Sequence, residues 1–283
     1  MRLLKVEPPL DDTALGDLVY AGTLLAFSKL PPIREMCRLS RRYICEELGS
    51  RTPVKVHEAY PPAEFLARVQ RLQMRYTKDA RLKRLFSDAL FQIGIDIEQS
   101  FWDKLLLRVL PPSTMHQRGE LSYVGAHRDT WGVGIHQQIN WWAPIFPVAK
   151  SRTMCIYPDH WQKRLKNTTA TWQMETYTAE RKKKKSGYVP AYPSAPQALE
   201  QPQEEGFKPV IKPGDLLCFS AAHLHSSIPN SSAFTRFSFE IRTVNLHDLK
   251  TGKGAPNVDC ASRGQRFGLF RNMVSEEKLA DRC

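Results

Sequence analysis

The sequence has no apolar segment long enough to cross a membrane, and its start lacks the apolar core of a secretory signal peptide. The longest apolar stretch, residues 18–27, covers about ten positions and is interrupted by Gly22. These absences argue against a membrane-spanning protein. They predict a cytoplasmic protein that is either soluble or bound to a membrane surface.

Paired cysteines are also lacking. The six cysteines lie at positions 37, 45, 155, 218, 260 and 283, with no Cys-x-x-Cys pair and no spacing typical of a disulfide framework. Cys155 and Cys218 lie in apolar segments, where a free cysteine packs as a small hydrophobic residue. The pattern argues against a disulfide-stabilised scaffold and is typical of a reducing compartment.

Acidic residues are scarce relative to basic ones, with 29 Asp and Glu against 41 Lys and Arg and a formal net charge of +12. This excess favours an anionic partner: nucleic acid, an anionic membrane surface, or a phosphorylated or carboxylated substrate. Nucleic-acid-binding motifs are absent, and no aromatic residue interrupts the lysine run at 182–185. We therefore expect no nucleic-acid partner, although a non-catalytic basic barrel that binds nucleic acid or anionic surfaces is kept as an alternative.

Potential metal ligands stand out against this background. His127 and Asp129 are one residue apart in a segment predicted to be extended, so their side chains share one face of a strand. His225 follows a strand-like run at 215–220 and can add a second imidazole. Two imidazoles and one carboxylate leave three positions of an octahedral ion open, as in non-haem Fe(II) sites. The alternatives are an ordinary His–Asp hydrogen bond and a ligand pair formed by His223 and His225.

The order of four motifs resembles that of a known enzyme family. The motifs are His-x-Asp at 127–129, Pro-Gly-Asp at 213–215, His-Ser-Ser-Ile-Pro-Asn at 225–230, and Arg236, eleven residues after the histidine. This order resembles the Fe(II)/2-oxoglutarate-dependent dioxygenases, and in particular their phytanoyl-CoA dioxygenase-like branch, over roughly residues 104–245.

The resemblance implies that the protein is a hydroxylase that uses Fe(II), 2-oxoglutarate and O2, with ascorbate as an activator. It implies that His127, Asp129 and His225 bind the iron and form the catalytic centre. It also implies that Arg236 binds the far carboxylate of 2-oxoglutarate, with assistance from Ser227.

Two related patterns fit less well. His-Arg-Asp opens the catalytic loop of protein kinases, but position 134 is glycine where that loop needs asparagine. Related halogenases lack the carboxylate that Asp129 supplies, so hydroxylation is the better expectation. The spacing from His225 to Arg236 favours His225 as the ligand, which leaves His223 to support the site or to pack.

A long strand is predicted at 137–145, with Gln138, Asn140 and Trp142 on one face. In this family the corresponding strand lines the cavity, so the resemblance makes these three residues candidates for contact with 2-oxoglutarate or substrate. The alternative is that the tryptophans fill the core. Arg108, in a strand predicted at 104–110, is expected on the surface, and the alternative is that it helps to hold the cosubstrate or the substrate.

Helical apolar stripes occupy the first hundred residues, at 31–48, after Pro61-Pro62, and at 82–91. Short strands with Pro and Gly turns follow. Together they predict a mainly β protein with a helical buttress, a double-stranded β-helix (jelly-roll, cupin-like) barrel. We expect one dioxygenase domain over 1–283, with a helical part at 1–100, a jelly-roll core at 104–157 and 207–245, a basic insertion or lid at 158–206, and a tail at 246–283.

The insertion concentrates positive charge, since residues 150–185 hold ten Lys or Arg against three Asp or Glu. This favours a lid over an anionic substrate, and the alternative is a solvated, disordered loop.

The segments at 127–131 and 140–145 resemble those of bacterial Kdo 3-hydroxylases. That resemblance implies a lipid-linked, anionic sugar of a lipopolysaccharide precursor and a peripheral position on the inner face of the inner membrane. A soluble anionic metabolite, amino acid or acyl conjugate is the alternative, and the oligomeric state is left open.

Overall fold

The computed structural model of the protein describes residues 3–112, 124–182 and 192–283. Helices begin where the proline-initiated apolar stripes predict them. The helices of the N-terminal part are α1 (Asp12–Tyr20), α2 (Pro31–Leu48), α3 (Pro62–Lys78) and α4 (Ala80–Ile93). Gly49 and Gly94 end α2 and α4 in the left-handed conformation, which glycine adopts without the steric strain of a Cβ atom.

Ten short strands, arranged in two sheets, occur in the described parts of the chain. They are β1 (Leu3–Val6), β2 (Leu24–Phe27), β3 (Ser100–Trp102), β4 (Leu106–Leu110), β5 (Gln138–Pro144), β6 (Met154–Ile156), β7 (Leu216–Ser220), β8 (His225–Ser227), β9 (Arg236–Asn245) and β10 (Arg271–Asn272). Eight form one large sheet with the order β1-β2-β7-β5-β9-β3-β10, and β4 pairs with β9 as well. The other two, β6 and β8, pair antiparallel into a small sheet.

One face of the large sheet is covered by the helices. Phe237, Phe239 and Ile241 alternate along β9 and lie in a core shared with α2, α3 and α4. Full burial of each such side chain contributes about 1.5–3 kcal/mol, so this layer is a major source of stability. The polar residues between them are directed to the opposite face of the sheet.

That opposite face packs against the small sheet. Trp142 of β5 and Phe219 of β7 share a core with Met154 and Ile156 of β6. The result is a jelly-roll-like sandwich with a helical buttress, so the predicted fold class is confirmed. The barrel, however, is not closed: within the described ranges, β6 and β8 pair with each other and form a separate sheet.

Several local predictions are wrong. Residues 208–212 were expected to resume the sheet but form no strand. The first hundred residues are not purely helical, because β1 and β2 extend the large sheet beyond β7. The chain is extended only as far as Arg128, and Asp129 begins the short helix α5 (Asp129–Val133). Residues 121–124 were predicted to lead into the segment of His127, and positions 121–123 lie outside the described residues.

The insertion at 158–206 contains a short 3-10 helix, Pro158–Trp161, and the helix α6 (Met174–Lys182). Positions 183–185 of the lysine run lie outside the described residues, so the predicted lid stays a prediction. In the described residues, no helix is both long enough and apolar enough to cross a membrane.

The C-terminal tail packs on the domain. It begins with α7 (Leu246–Thr251) and rejoins the large sheet where β10 pairs with β3. Phe270 and Leu279 are buried in a cluster with Phe101 and Ile135. The tail therefore covers one end of the sandwich.

Candidate metal centre and cavity

The three predicted metal ligands lie together. His127 and His225 face each other across an isolated antiparallel bridge, in which each backbone N–H donates to the other residue's carbonyl at 2.9 Å. Asp129 follows on the first turn of α5, with Oδ1 3.5 Å from Nε2 of His127. One ligating atom from each of the three residues lies within 4.8 Å of the other two. A single ion can therefore contact all three.

Both imidazoles have their metal-binding nitrogen free. Nδ1 of His127 lies 2.8 Å from the carbonyl of Gly125, and Nδ1 of His225 lies 3.0 Å from the carbonyl of His223. A carbonyl only accepts a hydrogen bond, so Nδ1 carries the proton in each ring and Nε2 offers its lone pair. Burial and the neighbouring His127 lower the pKa of His225 to about 4, which keeps this ring neutral as a ligand must be.

The carboxylate of Asp129 is oriented by two donors. Nδ2 of Asn140 donates to Oδ2 at 2.6 Å, and Nε of Arg242 donates to the same oxygen at 3.2 Å. Burial alone would raise the pKa of Asp129, but Arg242 and His127 hold it well below its usual range. The ionised carboxylate therefore keeps Oδ1 for a metal while Oδ2 is fixed by protein.

The three residues predicted on one face of β5 have different positions. Asn140 and Trp142 line the cavity above the ligands, while Gln138 is fully buried behind Asn140. Nε2 of Gln138 donates to Oδ1 of Asn140 at 2.9 Å, which orients the amide that holds Asp129. Gln138 thus contacts the site through Asn140, and its predicted direct contact with 2-oxoglutarate or substrate is not favoured by this position.

A cavity of about 540 Å³ of empty space lies in front of the ligands and opens to solvent. It combines apolar walls with charged groups. Besides the ligands, Asn140 and Trp142, its lining includes Arg108, Val124, Trp141, Met154, Phe219, Ser226, Ser227, Arg236, Glu240, Ile241 and Arg242. Ten of the sixteen lining residues are polar or charged, which suits a polar or charged small molecule.

Arg236 is buried at the cavity wall with a donor that has no partner. One terminal nitrogen donates to the carbonyl of Thr153 at 2.6 Å, but Nε has no hydrogen-bond partner within the described ranges. The hydroxyl of Ser238, on the same face of β9, is also buried without a partner. Burial lowers the pKa of Arg236 to about 10, despite the nearby carboxylate of Glu240. Unpaired buried donors are rare, and Arg236, which lines the cavity, has the charge and the donor to bind a carboxylate there.

Sequence reasoning missed a charged network beside the ligands. Glu240 accepts from Arg108 at 2.9 Å and from Arg242 at 3.3 Å. Burial would raise the pKa of Glu240, but the two arginines lower it to about 2. Arg242 also binds Asp103 at 3.0 Å. The expectation of a surface position for Arg108 is wrong: it lines the cavity with its side chain 33% exposed, because its strand pairs with β9.

The remaining motif residues support the site from behind. His223 is buried, with Nε2 3.2 Å from the carbonyl of Gly22 and its ring against Trp161, and it lies outside the ligand cluster. Asn230 is fully buried and donates to the carbonyls of Leu110 and Phe234, which shapes the loop before β9. Ser227 lines the cavity at the end of β8.

The sequence matches no protein-family model and no curated protein sequence. Among solved structures, EvdO2 from Micromonospora carbonacea var. aurantiaca is 10% identical, with a TM-score of 0.48 over 86% of this chain and 94% of that chain. The non-heme alpha ketoglutarate dependent carbocyclase SnoK from nogalamycin biosynthesis is 12% identical, with a TM-score of 0.42 over 92% and 95%. The ThoJ–Ni complex, described as a non-heme monooxygenase, is 12% identical, with a TM-score of 0.41 over 82% and 77%. Similarity this distant does not identify the reaction of this chain.

Proposed function

We propose that the protein is an Fe(II)- and 2-oxoglutarate-dependent oxygenase that hydroxylates an anionic substrate. The observation that supports this most strongly is the cluster of two imidazoles and one carboxylate that lines a cavity. That donor set is the facial arrangement of non-haem iron sites, which leaves room for a chelating cosubstrate.

The side chains have distinct tasks in this proposal. His127, Asp129 and His225 hold the metal, and Arg236 binds the distal carboxylate of 2-oxoglutarate through its unpaired Nε. Ser227, which also lines the cavity, assists in binding that carboxylate. Bound iron and 2-oxoglutarate would supply the oxidising power, while the protein supplies position and excludes water.

The finer proposal is that the substrate is the Kdo sugar of a lipopolysaccharide precursor. Its support is the resemblance of the segments at 127–131 and 140–145, together with the net charge of +12. Such a substrate carries carboxylates and phosphates and would bring the protein to the inner face of the inner membrane as a peripheral protein. A soluble anionic metabolite, amino acid or acyl conjugate is the competing substrate class.

The reaction class can be tested with purified protein, Fe(II), 2-oxoglutarate, ascorbate and O2. We expect succinate to form only when iron is present, and we expect His127→Ala to abolish it, because this change removes one metal ligand. An iron-loaded wild type that forms no succinate with any substrate of the panel below would contradict the proposal.

The substrate can be tested with a panel that holds Kdo-containing lipopolysaccharide precursors, amino acids and acyl conjugates. Mass spectrometry then shows which compound gains one oxygen atom. Turnover of an amino acid beside an unchanged Kdo precursor would refute the Kdo proposal while the oxygenase proposal stands. Sedimentation with anionic and with neutral lipid vesicles tests the peripheral position separately.

A further inference from the structure

Arg128 lies between two of the candidate metal ligands but points away from them. Its backbone is extended, with φ −109° and ψ 138°, so its side chain projects to the side opposite His127. Only 2% of Arg128 is exposed. A charged side chain in this position needs several partners, because an unpaired buried charge is strongly unfavourable.

The guanidinium of Arg128 finds its partners on three separate segments. Nε donates to both carboxylate oxygens of Asp259 in the C-terminal tail, at 3.0 and 3.2 Å. One terminal nitrogen donates at 2.5 Å to the carbonyl of Ala222, in the turn between β7 and β8. The other donates at 2.6 and 3.1 Å to the carbonyls of His160 and Lys163 in the insertion.

The carboxylate of Asp259 also has several hydrogen-bond donors around it. Besides Arg128, it accepts from Nε1 of Trp131 at 2.7 Å and from the backbone N–H of Leu165 at 3.0 Å. Trp131 is fully buried in α5, the helix that begins at Asp129. Asp259 of the tail therefore binds Arg128 and Trp131, which lie on either side of the candidate ligand Asp129 in the sequence.

His225 lies in β8, which is held by β6, whereas the segment of His127 has few backbone hydrogen bonds within the described residues. Two hydrogen bonds join His127 to His225, and a third, from the N–H of Ser227 to the carbonyl of Val124 at 2.9 Å, joins the same two segments. Two strands joined by so few bonds are marginal without packing from another element. Arg128 supplies that packing, because it joins the segment of His127 to the turn before His225.

Stability alone does not explain a buried pair of this kind. Replacing a buried ion pair by apolar residues of similar volume is often neutral or stabilising, whereas fixing one arrangement of the chain is the better-attested effect of such a pair. The Nε–H of Arg128 is shared between both oxygens of Asp259 while the terminal nitrogens donate to backbone carbonyls, so the direction of the guanidinium is fixed from several sides.

We propose that Arg128 and Asp259 form a latch that holds the His127–Asp129 segment in register with His225, which makes Asp259 a positioning residue for metal binding. The inference rests on the proposed function, because it presupposes that these ligands bind a metal. It assigns to the C-terminal tail a part in the site that the ligand motifs do not indicate.

The test uses Asp259→Asn, which keeps the shape of the side chain but removes its charge. Tyr76→Phe is the matched control, because Tyr76 is buried in the helical layer and the change removes one buried hydrogen bond, to Ser40, far along the chain from the ligands. Titration with Co(II) measures the affinity for metal and records the visible absorption bands, which depend on ligand geometry. Amide hydrogen exchange of the metal-free protein measures protection of the bridge between His127 and His225.

We expect Asp259→Asn to weaken Co(II) binding roughly ten-fold or more, at the scale seen when groups behind metal ligands are changed, and to alter the bands. We expect faster exchange at the two bridge amides, and Tyr76→Phe should change neither reading. If folded Asp259→Asn has the Co(II) affinity, the absorption bands and the amide exchange rates of the wild type, the latch is refuted.

If Asp259→Asn does not fold, Trp131→Phe carries the same test, because it removes the indole donor to Asp259 and keeps a smaller aromatic ring in the core. We then expect several-fold weaker Co(II) binding, and unchanged affinity would overturn the latch. A wild type that binds no Co(II) would refute the proposed function instead, and the exchange rates of the bridge amides would still decide the latch.

Discussion

Two arginines on the same face of β9 should respond in opposite directions to the same substitution. Among the residues that the structure describes, Arg236 donates to the carbonyl of Thr153, and its buried Nε has no partner. An unsatisfied buried donor is unfavourable by about 1–3 kcal/mol, and the lost hydrogen bond contributes about 0.5–1.5 kcal/mol in the other direction. We therefore expect Arg236→Met to stabilise the metal-free protein by roughly 1 kcal/mol, or about 2–4 °C in Tm for a chain of this size.

Arg242→Met is the matched comparison, because Arg242 binds three carboxylates, those of Asp103, Asp129 and Glu240. Its removal leaves buried charge unpaired, which destabilises by about 3–5 kcal/mol. The assay is thermal unfolding of both variants without metal.

In the loaded enzyme, Arg236→Met should raise the KM for 2-oxoglutarate by roughly 10- to 100-fold, since hydrogen bonds to a charged group contribute about 1.5–3 kcal/mol. This is read from succinate formation at increasing 2-oxoglutarate. Equal destabilisation by both substitutions, or an unchanged KM in Arg236→Met, would refute the reasoning.

Three further changes test other parts of the structure. Asn140→Ala removes the donor that fixes Oδ2 of Asp129, so metal affinity measured by equilibrium dialysis should fall roughly 10- to 100-fold, and an unchanged affinity would exclude this role. Burial raises the pKa of Asp12 to about 6, so its carboxyl stabilises the fold below its unfolded pKa and loses that contribution as pH rises through 6. In urea unfolding, the free energy of unfolding of Asp12→Asn relative to wild type should therefore rise by roughly 1–3 kcal/mol between pH 4 and pH 8. A difference that does not change with pH would contradict this prediction. Gly22→Ala should destabilise by about 1–3 kcal/mol or more in the same assay, because Gly22 has φ +92° and an added Cβ would lie 2.7 Å from the ring of Trp161.

The ligand residues were predictable because metal chemistry restricts both residue type and spacing. His127, Asp129 and His225 could be selected from the sequence, and the structure brings them to one point. The helices at Pro31 and Pro62 were equally accessible, since proline at the first turn and a 3.6-residue apolar period are local signals.

The network around the ligands was not accessible in the same way. Glu240 and Arg242 contact the site because β9 pairs with β4 and β5 in a particular register, and Asp259 reaches Arg128 from a segment 131 residues later. Such contacts depend on long-range pairing that no local pattern encodes. The usable signal was the alternation of polar or charged with apolar residues in β9, which indicates a strand with one apolar face but does not show that its charged face is buried too.

The most direct test of the site is the iron content of protein dialysed against Fe(II) under anaerobic conditions. We expect one Fe(II) per chain in the wild type, and its loss in His127→Ala, Asp129→Ala and His225→Ala. His223→Gln serves as the matched control, because His223 is a buried histidine two residues from a ligand but lies outside the cluster, and it should keep its iron. Iron retained in the three ligand variants, or lost equally in His223→Gln, would contradict a metal centre formed by His127, Asp129 and His225.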